Sequence, residues 1–110
     1  MSQDNQVKED RRVFERFPVA LLVNLMDLDA GKELDANTCD ISAKGVGIVS
    51  QEYLKPGNRL ELWLNIKDGR EPFYTKGTVM WARQQEADKY RAGISLERAE
   101  LMGMSRIFRS

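Results

Sequence analysis

Two short polar stretches in this chain hold residue types that could grip a phosphorylated guanine: Arg12-Val13-Phe14-Glu15-Arg16, with Arg11 just before it, and Asp40-Ile41-Ser42-Ala43-Lys44-Gly45. An arginine presents a planar fork of N–H donors that matches a phosphate or the acceptor edge of guanine. An aspartate and a serine can accept from the donor edge of the same base, and a glycine lets a ligand come close to the backbone. Taken singly, neither stretch is specific. Two arginines four apart are expected about once by chance in a chain this rich in arginine, and a solvated charge cluster would look the same. Asp-x-Ser-x-x-Gly is rarer, yet turns that end strands favour the same residues.

What unites the stretches is the segment between them. Phe17 to Leu28 is rich in Val, Leu and Met with loose alternation and is expected to form one strand. Asp29-Ala30-Gly31-Lys32 supplies turn chemistry, and Glu33 to Cys39 returns as the partner strand. A hairpin centred on Ala30-Gly31 pairs positions that sum to about 61, placing Arg16 opposite Gly45 and Val19 opposite Ser42. Both stretches then meet at one end of the hairpin, and a slip of two residues would not part them.

The rest of the chain supplies more short strands. Gly45 to Ser50 is one, followed by a loop at Tyr53 to Asn58. The clearest alternation comes next: Leu60, Leu62, Leu64 and Ile66 face one way, and Arg59, Glu61, Trp63 and Asn65 the other. Asp68-Gly69 is expected to make a tight hairpin turn into a strand from Phe73 to Arg83. A polar turn at Gln84 to Asp88 precedes a last strand from Tyr90 to Leu96. Strands at this spacing indicate a barrel or a sandwich. Leu101, Met104, Ile107 and Phe108 have the spacing of a short C-terminal helix packing on an open barrel end. Trp63 and Trp81 are expected in the core, where large aromatics of alternating strands usually lie.

Composition narrows the function. The chain has 110 residues, 42% apolar and 31% charged, enough for one modest core. Its domain is expected over residues 11–110 behind a mobile tail at 1–10. It has no histidine, which removes the commonest general base and metal ligand, and its single cysteine, Cys39, is expected as a small strand residue. No residue set suggests a reaction, so no enzyme and no metal or cofactor is expected. A net charge of zero argues against a DNA- or RNA-binding face. With no apolar stretch near 20 residues and no signal-peptide pattern, a cytoplasmic protein without membrane insertion is expected.

The two motifs in this order resemble the PilZ domain, the bacterial receptor for cyclic di-GMP. The resemblance runs from about Arg11 to the C-terminus and includes Gly47-Ile48, Gly77-Thr78-Val79-Met80-Trp81 and Tyr90-Arg91-Ala92-Gly93-Ile94. It implies a six-stranded antiparallel β-barrel with a short C-terminal α-helix, all-β otherwise. It also implies a non-enzymatic receptor or adaptor that binds cyclic di-GMP and passes the signal to a downstream protein, as a monomer or weak homodimer. On this resemblance Arg12 and Arg16 engage phosphates and guanine Hoogsteen edges from a segment that wraps the ligand. Asp40 and Ser42 accept guanine donors, and Gly45 allows close approach. Arg11 resembles members that accept an intercalated pair of cyclic di-GMP molecules. The alternative is a PilZ-like interaction module that binds no nucleotide.

Overall fold

The computed structural model describes residues 16–42 and 44–97. The expected tail, Arg11, Arg12 and the C-terminal helix lie outside these residues. The described chain is all-β, with seven strands: β1 (Phe17–Pro18), β2 (Leu22–Asp27), β3 (Lys32–Ile41), β4 (Gly45–Ser50), β5 (Arg59–Leu64), β6 (Phe73–Glu86) and β7 (Lys89–Leu96). All pairings are antiparallel in the order β1-β3-β2-β5-β6-β7-β4, and a further β3–β4 pairing closes six strands, β2 to β7, into a barrel. The short β1 continues the line of β2 along β3.

Alternation decides what goes inside. Val23 and Leu25 of β2, Val46 and Ile48 of β4, Leu60, Leu62 and Leu64 of β5, Val79 of β6, and Ala92, Ile94 and Leu96 of β7 form one buried cluster. Leu54 and Ile66, from the flanking loops, join it. Each fully buried Leu, Ile or Val contributes about 1.5–3 kcal/mol by leaving water, so this cluster drives closure.

Several boundaries differ from expectation, and each difference has a local cause. The expected strand from Phe17 to Leu28 is interrupted at residues 19–21. There the buried Thr38 side chain enters the ladder: its hydroxyl accepts from Leu21 N at 2.8 Å and donates to the Val19 carbonyl. The first hairpin turns over Leu28 to Gly31, with Gly31 at φ +65° and its N–H on the Asp27 carbonyl. Asp27, 3% exposed, organises this turn by accepting from Asp29 N, Ala30 N and the Asn58 amide. Paired positions therefore sum to 59 along β2 (Leu22 with Asn37) and 58 along β1 (Phe17 with Ile41), so Arg16 does not stand opposite Gly45. Asp68-Gly69 lies within a wider connection at 65–72, because the β5–β6 ladder already ends at the Leu64–Phe73 pair. Strand β6 runs to Glu86, and the turn is confined to Ala87 and Asp88, with Asp88 at φ +60°.

Of three register shifts in the described ladders, one of them at Gln84/Glu86 near the β6–β7 turn, two shape the outer wall. Between β3 and β4, Thr38 pairs with Ile48 but Asp40 pairs with Gly47, leaving Cys39 as the extra residue. Between β6 and β7, Val79 pairs with Ile94 but Trp81 pairs with Gly93, leaving Met80 extra. An extra residue reverses which face the following side chains take. Thr38 and Val79 are buried, whereas Asp40 and Trp81, which strict alternation would turn inward, stand outside.

Candidate functional site

The two bulges place Asp40 and Trp81 in one row across the barrel wall. Asp40 pairs with Gly47 on β4, Gly47 with Gly93 on β7, and Gly93 with Trp81 on β6. The two central positions are glycines because the flanking side chains lie across them. A Cβ on Gly47 would stand 2.7 Å from Asp40 Oδ1, and one on Gly93 would overlap the Trp81 indole. The row is thus a glycine floor on which the Asp40 carboxylate lies over Gly47 and the Trp81 indole over Gly93.

Arginines surround it. Arg16, just before β1, donates from Nη1 to Asp40 Oδ1 at 2.8 Å, and Arg91 of β7 donates from Nη2 to Oδ2 at 3.3 Å. Gly45 gives Arg16 its place, since a Cβ there would stand 3.2 Å from Nη2 of Arg16 and 3.0 Å from the Ile94 carbonyl. The Arg83 guanidinium carbon is 4.9 Å from the Trp81 ring centroid. Among the described residues, Arg16, Arg83 and Arg91 outnumber the Asp40 carboxylate that two of them bond, a cationic excess in a chain whose net charge is zero, which suits a small multivalent anion.

Ser42 is buried and shapes the β3–β4 turn. Its N–H bonds the Gly45 carbonyl at 2.8 Å, and its hydroxyl accepts from Gly45 N at 3.1 Å. Arg16, Ser42, Gly45, Met80, Trp81 and Gly93 are among the residues lining a depression of about 250 Å³. That is below the roughly 300–1,000 Å³ typical of small-molecule pockets, so the described wall alone cannot enclose a ligand of dinucleotide size. Among the described residues no three His, Cys, Asp or Glu side chains cluster as a metal site would need.

Four sequence-derived candidates, Arg16, Asp40, Ser42 and Gly45, therefore come together, although the register that first united them was displaced by two to three residues. Arg11 and Arg12 lie outside the described residues. Sequence reasoning missed Trp81 and Arg91. Trp81 was expected in the core but is 38% exposed on the outer wall. Its signal was the unbroken apolar run Val79-Met80-Trp81-Ala82, which one face of a strand cannot bury. Trp63 is also outside, half-buried beside Tyr74 with ring centroids 5.3 Å apart. Arg91 was legible as a residue of the last strand, but nothing in the sequence placed it against Asp40.

Solved structures with the same fold agree with the topology. The PilZ domain of YcgR from Escherichia coli with c-di-GMP superposes with a TM-score of 0.68 at 14% identity, covering 90% of this chain and 87% of that one. The PilZ domain of CeSA from a cellulose-synthesizing bacterium gives 0.61 at 16% identity, covering 86% and 92%. MotI/DgrA, the Bacillus subtilis inhibitor of motility, gives 0.67 at 16% identity over 90% of this chain, which spans only 48% of that protein. No curated protein matches the sequence. The family model described as PilZ domain matches residues 10–108, nearly the whole chain, and the chain accordingly belongs to the PilZ domain family.

Proposed function

We propose that this chain is a non-enzymatic receptor for cyclic di-GMP, with its site on the outer wall around Asp40. The observation that carries the reading is the convergence of Arg16, Asp40 and Gly45 beside the Trp81 indole. Two solved relatives, the YcgR domain and PlzA of Borreliella burgdorferi, contain c-di-GMP. Asp40 accepts the N1–H and N2–H donors of one guanine, and Arg16 turns its fork to a phosphate or to the O6/N7 edge. Ser42 holds the β3–β4 turn that brings Gly45 and Asp40 to the ligand. Trp81 offers a π surface for a base, an interaction worth about 1–3 kcal/mol.

Magnitudes favour release of Arg16 from Asp40. Arg16 is 49% exposed and Asp40 22%, so the pair sits at the surface edge, where such pairs are worth on the order of 1 kcal/mol, and Asp40 keeps Arg91 as a second partner. A bidentate contact to guanine is worth about 1–3 kcal/mol. Arg11 and Arg12 are proposed as further ligand contacts, with an intercalated pair of cyclic di-GMP molecules as the expected stoichiometry. The bound protein then signals by contacting a downstream protein in the cytoplasm.

Calorimetric titration with cyclic di-GMP tests this reading. The expected result is saturable binding that weakens with salt, reduced by about 1–3 kcal/mol in Arg16→Ala and in Arg12→Ala. Absence of heat and of amide shifts at millimolar ligand would sink it, and would favour the nucleotide-independent interaction module.

A further inference from the structure

We infer that Arg91 is a positioning residue for Asp40, the fixed partner that keeps the carboxylate aimed at the ligand once Arg16 has left it. The inference rests on the cyclic di-GMP reading and deepens it.

The geometry separates the two arginines. Arg16 approaches from ahead of β1 with its side chain half in solvent. Arg91 sits in the middle of β7, paired with Val49 on one side and Arg83 on the other, and its Nε is buried without a hydrogen-bond partner. Reaching Asp40 means crossing β4, two strand spacings or about 10 Å. Gly47, the β4 partner of Asp40, leaves room for that carboxylate, which any side chain there would touch. The Arg91 side chain is 38% exposed, against 49% for Arg16, but its Nε is covered, so its fork meets Asp40 Oδ2 from the barrel wall.

Charge placement points the same way. Arg83 and Arg91 are direct cross-strand partners, an arrangement that like charges disfavour, and the Asp40 carboxylate compensates it. Asp40 has a side chain only 22% exposed. A carboxylate so covered is poorly solvated, and losing its sole cation would be unfavourable. With Arg91 in place Asp40 keeps a counter-charge on Oδ2, while the guanine N1–H and N2–H replace the Arg16 fork at the carboxylate. Arg91 therefore lowers the barrier to handing Asp40 from protein to ligand.

The test is a double-mutant cycle on cyclic di-GMP affinity using the full chain, with Arg91→Met, Asp40→Asn and the double variant. Methionine retains the apolar stem, and thermal melts of each variant confirm folding. The expected result is a loss of roughly tenfold for Arg91→Met in the natural background and little further loss in the Asp40→Asn background. Arg Nε–H NMR signals supply a second readout. On ligand addition the Arg16 signal should shift, while that of Arg91 should remain slow to exchange with water. Undiminished affinity in Arg91→Met, an equal loss with and without Asp40, or faster exchange at Arg91 on ligand addition would overturn the inference and leave the receptor reading standing. No binding by the natural chain would overturn both.

Discussion

Single side chains in this protein work by settling backbone groups or each other's charges. Thr38 fills a gap in the ladder between β1 and β2, and Asp27 holds the first turn and Asn58 together. On the outer wall, Tyr74 donates to Glu61 at 2.5 Å, and that hydrogen bond to a carboxylate is the main reason its phenol is pushed up to about 12. The raised value means the folded chain keeps a proton that the unfolded chain releases near pH 10. The stabilisation is complete below that pH and disappears as pH rises from about 10 to about 12. Absorbance titration of tyrosinate should show one of the three tyrosines ionising late, and Glu61→Gln should return it to the ordinary range. Late ionisation persisting in Glu61→Gln would show that this contact is not the cause. The role of Thr38 was hidden in the sequence because it acts on backbone 17 and 19 residues away, and that of Asp27 in part because its Asn58 partner lies 31 residues on.

At the scale of elements, legibility followed regularity. The alternation of Leu60, Leu62, Leu64 and Ile66 identified β5 and its inner face, and all four are buried. The first hairpin was found, but a one-residue shift of its turn moved the register by two. The bulges at Cys39 and Met80 were not read, because alternation assumes that every residue advances the ladder by one. They carry the site, for without them Asp40 and Trp81 would face the core. The glycines opposite give a direct check. Gly47→Ala puts a methyl group against the Asp40 carboxylate, a side chain that can move, so stability should change by under about 1 kcal/mol. Cyclic di-GMP affinity should nonetheless fall clearly, since Asp40 is displaced from both arginines. A melt and a titration on the same variant measure both quantities, and a destabilised protein with normal affinity would contradict the assignment.

Across the described residues, the barrel is a closed ring whose interior is almost wholly aliphatic, and the groups of the candidate site lie outside it. Ligand capture at such a wall adds contacts without rearranging the core, so binding should register mainly as added stability. At a free ligand concentration of 100 times Kd the gain is about 2.7 kcal/mol, which raises Tm by roughly 10–20 °C for a domain of this size. Differential scanning fluorimetry with cyclic di-GMP checks this, and an unchanged Tm at saturation would rule out selective binding to the folded state. The bulges carry one more consequence. Since they put recognition on one parity of the strands and cohesion on the other, the two properties can drift independently through mutation. On the proposed receptor reading, a descendant of this chain that lost Arg16 or Asp40 would forfeit cyclic di-GMP and still fold, leaving an intact barrel wall open to acquire a different partner.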